Sequence, residues 1–286
     1  MLPSSTSTDR QRARLKDARS PGEAALRVFV LAKDEEANIK RCLDSCRHLG
    51  VEVVVLDSGS ADRTVELAAA YPFVRVERFK YVNHCRAYNE LSFRRTPADA
   101  YCMVLDADMV LTEDLSAEIG GLIRDPVVQV IRAPVAMYWE GRPLRHGSLY
   151  PPKPFLFRGG MEYFVALGHG ECIKHGTPVN TTKATLIHDD RKEYSAYLCS
   201  QFRYSKNLVA RARVAHTSWR DRLRLASPLM VILTPLYSLF VRRGLLAGRA
   251  GLVYAMDRLI AEAVCYRQAL ADRLPLSEES GDVSSP

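Results

Sequence analysis

Hydrophobic and polar positions in the first half of the chain follow two alternating patterns. Short apolar runs, "LRVFVLA" (26–32), "EVVVLD" (52–57), "VRVERF" (74–79) and "AYCMVLDAD" (100–108), read as buried strands. The segments between them, "EEANIKRCLDSCRHLG", "TVELAAAYP" and "HCRAYNELSFRRT", read as helices. The first helix closes at Gly50, and the turn "SGSADRT" offers Ser60 or Asp62 as a cap for the second. This alternation predicts βαβ units, an α/β fold with a mostly parallel sheet flanked by helices. Ligands of such sheets bind beyond the carboxyl ends of the strands, where Asp57, Asp106 and Asp108 fall.

No G-x-G-x-x-G or G-x-x-x-x-G-K-[ST] loop follows the first strand, which removes the main support for a dinucleotide dehydrogenase or a P-loop NTPase. What remains is Asp106-Ala107-Asp108 at a strand exit. Carboxylates at i,i+2 point the same way while the chain is extended, and a turn can splay them. One then suits a hard divalent cation, Mg²⁺ or Mn²⁺, and the other a ribose hydroxyl or a metal-bound water. A solvated turn or a helix cap explains the same pair, just as Asp57 and Asp62 explain themselves as turn and cap residues.

At 286 residues and 47% hydrophobic positions the chain can bury a large core. Seven scattered cysteines, several inside apolar runs, predict free thiols and a reducing, cytoplasmic compartment. The opening 23 residues are polar and lack an apolar core segment, so 1–24 reads as a disordered basic tail and not a signal peptide. The net charge of +7 is uneven: residues 1–20 carry +3, 21–200 carry −2, 201–275 carry +9, and the tail 276–286 carries −3. A near-neutral body with a basic C-terminal region argues against nucleic acid and for an anionic membrane surface. There, an apolar run (228–241) is broken by Pro235 and falls short of the roughly 20 residues of a bilayer span. Flanked by Arg220, Arg222, Arg224, Arg242, Arg243 and Arg249, it suits a helical hairpin lying in the interface. A buried core helix with a basic exposed face is the competing reading.

"LAKDEEANIKRCLDS", "VVVLDSGSADRTVELA" and "YCMVLDADMVL" occur in this order on successive βα units. Together they resemble the family 2 inverting glycosyltransferases of GT-A fold, with their N-E-x-x-x-I, V-V-D-x-G-S-x-D-x-T and D-x-D patterns. "MYWEGRPLRHGSLYPPKPFLFRGG", "GHGE", "LIHDD" and "FVRRGLLAGRAGLVYAM" extend the resemblance to about residues 26–270, toward the lipopolysaccharide-core glucosyltransferase branch. The resemblance implies a GT-A catalytic domain over 25–200, followed by a helical membrane-associating region over 201–275. It implies a UDP-sugar donor, a glycan or lipid-linked acceptor, Mg²⁺ or Mn²⁺, and a seat on the inner face of the cytoplasmic membrane. A polyprenyl-phosphate sugar synthase shares these features. A GT-A-like nucleotidyltransferase is disfavoured by the missing Gly-rich basic loop, and a catalytically dead binding module by the intact Asp106, Asp108 and His188.

By the same resemblance, Ala32, Lys33, Glu35, Asp57, Ser58, Asn89, Asp106 and Arg158 line the nucleotide-sugar site. Asp108, with Asp106 and His188, holds the metal. The catalytic base is Glu171 of "GHGE", although the family's Glu-Asp pair is Gly-Glu here and Asp189 and Asp190 compete. Arg142, Arg145 and His146 suit an acceptor or diphosphate loop or a solvated basic turn. Trp139 suits a sugar-stacking platform or the core. His84, His169 and His175 read as surface or structural residues, with His169 also placed beside the base.

Overall fold

The computed structural model describes residues 25–125, 127–165, 172–214 and 219–273. Both expected tails, His169 and Glu171 lie outside the described residues. The chain opens with β1 (Ala25–Ala32), helix α1 (Ile39–Cys46), β2 (Val53–Asp57), α2 (Thr64–Ala69), β3 (Val74–Arg78), α3 (His84–Asn89) and β4 (Ala100–Asp106). Next come β5 (Met109–Leu111), α4 (Glu113–Leu122), β6 (Val130–Ala133), β7 (Val135–Trp139), β8 (Arg142–Pro143) and β9 (Lys153–Arg158). Then follow β10 (Phe164–Val165), β11 (Cys172–Ile173), β12 (Val179–Thr181) and β13 (Leu186–His188). Four helices complete the chain: α5 (Tyr194–Val214), α6 (Trp219–Ala226), α7 (Leu229–Leu236) and α8 (Arg249–Arg273).

Seven strands form the main sheet in the order β12-β6-β9-β4-β1-β2-β3. The pairs β4–β1, β1–β2, β2–β3 and β12–β6 are parallel, and only β9 runs against its neighbours β4 and β6. The mostly parallel α/β sheet read from the sequence is therefore present. β1 is apolar and buried from Val28 to Ala32, where both of its faces are covered. Val28 and Val30 pack with α1 residues Ile39, Cys42 and Leu43, whereas Phe29 and Leu31 pack on the other side with Tyr88 and Leu91. Cys42, Cys46, Cys85, Cys102 and Cys265 are buried free thiols, and Cys199 is exposed. Gly50 ends the first helical segment in the left-handed region, at φ +63°.

A second sheet has the order β5-β13-β7-β8. The chain passes from the first sheet to the second between Asp106, the last residue of β4, and Met109, the first of β5.

The C-terminal helices dock on the strand-bearing part of the chain through a buried polar knot. Asp257 of α8 accepts from Trp139 Nε1 (2.6 Å) and from the Tyr194 hydroxyl (2.6 Å). Trp139 also packs edge-on against Tyr197 and Tyr254, so of its two readings the core one holds. Backbones approach closely where α8 begins: a Cβ at Gly251 would lie 1.9 Å from the Gly244 carbonyl oxygen. Pro235 sits inside α7, and no single described helix is long and apolar enough to cross a membrane. α7 exposes Leu229, Ile232, Leu233 and Leu236, and the turn after it exposes Phe240 and Val241. Arg220, Arg222, Arg242, Arg243 and Arg249 are exposed around this surface. Arg224 is a correction: its guanidinium turns inward to Glu262 (2.8 Å), with its side chain only 15% exposed.

Candidate active site

The site lies at the carboxyl edge of β2, β1 and β4. Ala32 at the end of β1 pairs with Asp57, and Leu31 pairs with Asp106, so the two acids flank the central strand's end. Ala32 is buried and Lys33 is exposed. Asp57 shapes the turn that follows it. Its Oδ2 accepts from the Gly59 amide (3.0 Å) and its Oδ1 from the Ser60 amide (3.1 Å), while the Ser58 amide donates to the Ala32 carbonyl (2.9 Å). Gly59 supplies the left-handed φ of +88° that the turn needs.

The 33–36 loop is stitched to the 60–64 turn. The Asp34 amide donates to Ser60 Oγ (2.9 Å), the Glu35 amide to Thr64 Oγ1 (2.7 Å) and the Glu36 amide to Asp62 Oδ2 (3.0 Å). Asp62 also accepts from the Thr64 amide (3.0 Å) at the start of α2. Neither expected residue is the N-cap, which is Arg63 and makes no side-chain cap bond; Asp62 braces the turn just before the helix, and Ser60 serves the neighbouring loop.

The two aspartates of Asp106-Ala107-Asp108 face different partners. Asp106 belongs to the large sheet, and its Oδ2 accepts from Lys153 Nζ at 2.7 Å, with His84 Nε2 at 3.8 Å. Asp108 stands where the second sheet begins, and its Oδ2 lies 3.4 Å from His188 Nε2. The antiparallel pairing of β13 with β5 sets that contact, with His188 opposite Met109 and the Asp189 amide donating to the Asp108 carbonyl (3.0 Å). Tyr150 packs against the His188 ring with centroids 5.3 Å apart. Burial works to raise the Asp108 pKa, but His188, Lys192 and Lys153 outweigh it and hold the group at about 2. Burial depresses the His188 pKa, and the Asp108 carboxylate more than offsets this, for a net rise.

Asp106 Oδ1, Asp108 Oδ1 and His188 Nδ1 are buried and have no hydrogen-bond partner. Buried polar atoms left unsatisfied are costly unless a ligand completes them. Among the described residues, no three His, Cys, Asp or Glu side chains come close enough together to hold a metal ion by themselves. Asp108 and His188 do fit as neighbouring ligands, with oxygen and nitrogen 3.4 Å apart. A hard cation accepts such a pair when substrate phosphates and water fill the remaining positions. Asp106, expected to be the third ligand, has its Oδ2 paired with Lys153 and its Oδ1 unpartnered.

A second polar cluster adjoins this one. Asn38, 1% exposed, donates to Glu35 Oε2 (2.8 Å) and Asp190 Oδ1 (2.8 Å). Its Oδ1 accepts from Arg41 (2.7 Å) and from the Arg191 amide (2.9 Å). Lys192 Nζ reaches Glu35 Oε1 at 2.6 Å. Burial and then the Asp108 charge push the Glu35 pKa up to about 7, against the pull of Lys192 and Asn38. Asp189 is buried and ion-paired with Arg41 and Arg191, and Asp190 is tied to Asn38 and the Lys192 amide.

Of the expected donor-site residues, Asn89 is engaged locally and Arg158 lies at the far end of its strand. The Asn89 side chain is spent on the backbone around β10, accepting from the Tyr163 and Phe164 amides (3.0 Å each) and donating to the Phe164 carbonyl (2.8 Å). Arg158 pairs with Tyr101 at the opposite end of β4 and donates to the Ala98 carbonyl (3.1 Å). Five residues of strand separate that pair from Asp106, about 17 Å at the usual rise. The reason is direction: β9 is antiparallel, so its first residue, Lys153, reaches the ligand edge, and its last does not.

A family model for glycosyl transferase family 2 matches residues 27–180, more than half of the chain. Glucosyl-3-phosphoglycerate synthase from Mycobacterium tuberculosis, solved with Mn²⁺, UDP and glucosyl-3-phosphoglycerate, is 22% identical, with a TM-score of 0.28. That match covers 47% of this chain and 50% of the synthase, so the chain spans half that protein's length. S. aureus TarS 1–349, solved with UDP-GlcNAc, is 14% identical over 86% of this chain and 89% of its own, with a TM-score of 0.43. No curated protein matches. On the family match across residues 27–180, the chain belongs to glycosyl transferase family 2.

Proposed function

We propose that the protein transfers a hexose, with inversion, from a UDP-sugar to a hydroxyl of a cell-envelope glycan or lipid-linked acceptor. The observation that carries this is the set of unpartnered buried atoms, Asp106 Oδ1, Asp108 Oδ1 and His188 Nδ1, at the carboxyl edge of the sheet. In this reading Asp108 and His188 hold Mg²⁺ or Mn²⁺, Asp106 accepts from the ribose or sugar, and the 32–35 and 57–58 turns frame the nucleoside. When bound, the cation supplies positive charge to the departing diphosphate. The displacement itself needs a carboxylate that takes the acceptor's proton as the hydroxyl attacks the anomeric carbon. Glu171 keeps that role here. Asp189, the competitor beside the site, is committed to two guanidinium groups, which supports leaving it out.

The acceptor side of the reading rests on the C-terminal surface. Exposed Ile232, Leu233, Phe240 and Val241 next to exposed Arg242 and Arg243 suit an anionic membrane face. The function is tested by UDP release from UDP-glucose with and without Mn²⁺, alongside Mn²⁺-supported UDP binding. Absence of both would sink it.

A further inference from the structure

We propose that Lys153 is a positioning residue that keeps Asp106 out of the metal shell, leaving Asp108 and His188 as the protein's cation ligands. Three observations carry this beyond the functional reading above, on which it rests.

First, β9 runs antiparallel to β4, with Met103 opposite Leu156 as the last paired residues, so the start of β9 lies toward the end of β4 that carries Asp106. There Lys153 Nζ reaches Asp106 Oδ2 at 2.7 Å. Second, the Lys153 side chain is only 4% exposed and lies over the Tyr88 ring at 5.9 Å. A buried ammonium cannot swing into water, and it needs a carboxylate beside it more than a cation does. Third, the two aspartates are divided between two sheets. Asp106 answers to β9 and Asp108 to β13, and no third acid or histidine joins the Asp108–His188 pair among the described residues.

The test is Mn²⁺ binding to the full chain without donor, read by water-proton relaxation. Asp108→Asn should weaken Mn²⁺ more than tenfold, and Asp106→Asn should change it less than twofold. Lys153→Met should tighten Mn²⁺ about fivefold by freeing a second carboxylate. Lys153→Arg, which retains the charge, should stay near wild type. Loss of Lys153's repulsion alone would also tighten binding, so the double variant decides between the two causes. D106N/K153M should return to within twofold of wild type if the freed carboxylate is responsible. The inference is overturned if D106N weakens Mn²⁺ as much as D108N, if K153M gives no gain, or if that gain survives in the double variant. Should K153M fail to fold, the D106N and D108N comparison alone still decides. A wild type that binds no Mn²⁺ overturns the metal reading itself, a different result from any of these.

Discussion

Asn38 makes four hydrogen bonds at 1% exposure, and its replacement by alanine is the most informative structural perturbation. It joins the loop after β1 to the 189–191 segment, two regions more than 150 residues apart in sequence. The losses are unequal. Glu35 has only 12% of its side chain exposed, so its Oε2 cannot find water in place of the Asn38 amide. Leaving a buried, partly charged acceptor unpaired costs roughly 2–3 kcal/mol. Asp190 and Arg41, at 35% and 25%, recover most of their bonds from solvent, which adds on the order of 0.5 kcal/mol. Asn38→Ala should therefore destabilise the protein by about 3 kcal/mol. Asn38→Asp should be worse, because it sets a third carboxylate between Glu35 and Asp190. Urea unfolding at pH 7, followed by circular dichroism, measures the midpoint shift at constant slope. A loss below about 1 kcal/mol for Asn38→Ala would refute the view that this amide bridges the two loops.

Three further outcomes are expected. Glu35 holds its proton to about pH 7 in the folded state, because burial and the Asp108 charge raise its pKa from an ordinary 4.5. The native state then binds more protons than the unfolded one between those values, so this group's contribution falls as pH rises through the window. Relative to Glu35→Gln, the wild type should lose up to about 3 kcal/mol from pH 4.5 to pH 7.5 in metal-free buffer, and parallel stability curves would contradict this. Arg158→Ala should leave kcat/KM for the donor within twofold of wild type, because Arg158 lies at the far edge of the sheet; a tenfold fall would put it back in the site. Ile232→Asp with Phe240→Asp should abolish co-flotation with vesicles containing anionic lipid while leaving UDP-glucose hydrolysis intact. Equal flotation by wild type and variant would remove the membrane reading.

Much of this arrangement is visible in the sequence because burial on both faces leaves a plain mark. β2 and β4 are apolar runs that end at Asp57 and Asp106, and β1 between them is apolar from Val28 to Ala32. What the local pattern does not carry is strand direction. "KPFLFR" reads as a buried strand either way, and only the fold decides which of its basic ends reaches the ligand edge. That one unknown explains both the misplacement of Arg158 and the omission of Lys153. Asn38 and Lys192 were hidden for a related reason. Each acts on a partner about 150 residues away, and no local pattern marks such a partner. Arg224 was assigned to the basic surface by composition, yet Glu262 on α8 turns it inward.

The least legible feature is the chain's change of sheet between Asp106 and Met109. Two acids at i,i+2 on one continuous strand would share a face and a partner. Here the strand of one sheet ends at the first acid, and the strand of the other begins just past the second. Lys153 at the start of β9 faces Asp106, and the register of β5 with β13 fixes what faces Asp108. The two contacts are therefore separable. A one-residue slip of β9 would flip Lys153 to the other side of the sheet and strip Asp106 of its counter-charge, leaving the Asp108–His188 contact in place but removing one of the cations that lower the Asp108 pKa. A slip of β13 would do the reverse. An active site organised this way can change the ligand of one carboxylate independently of the other, because each is held by a different sheet.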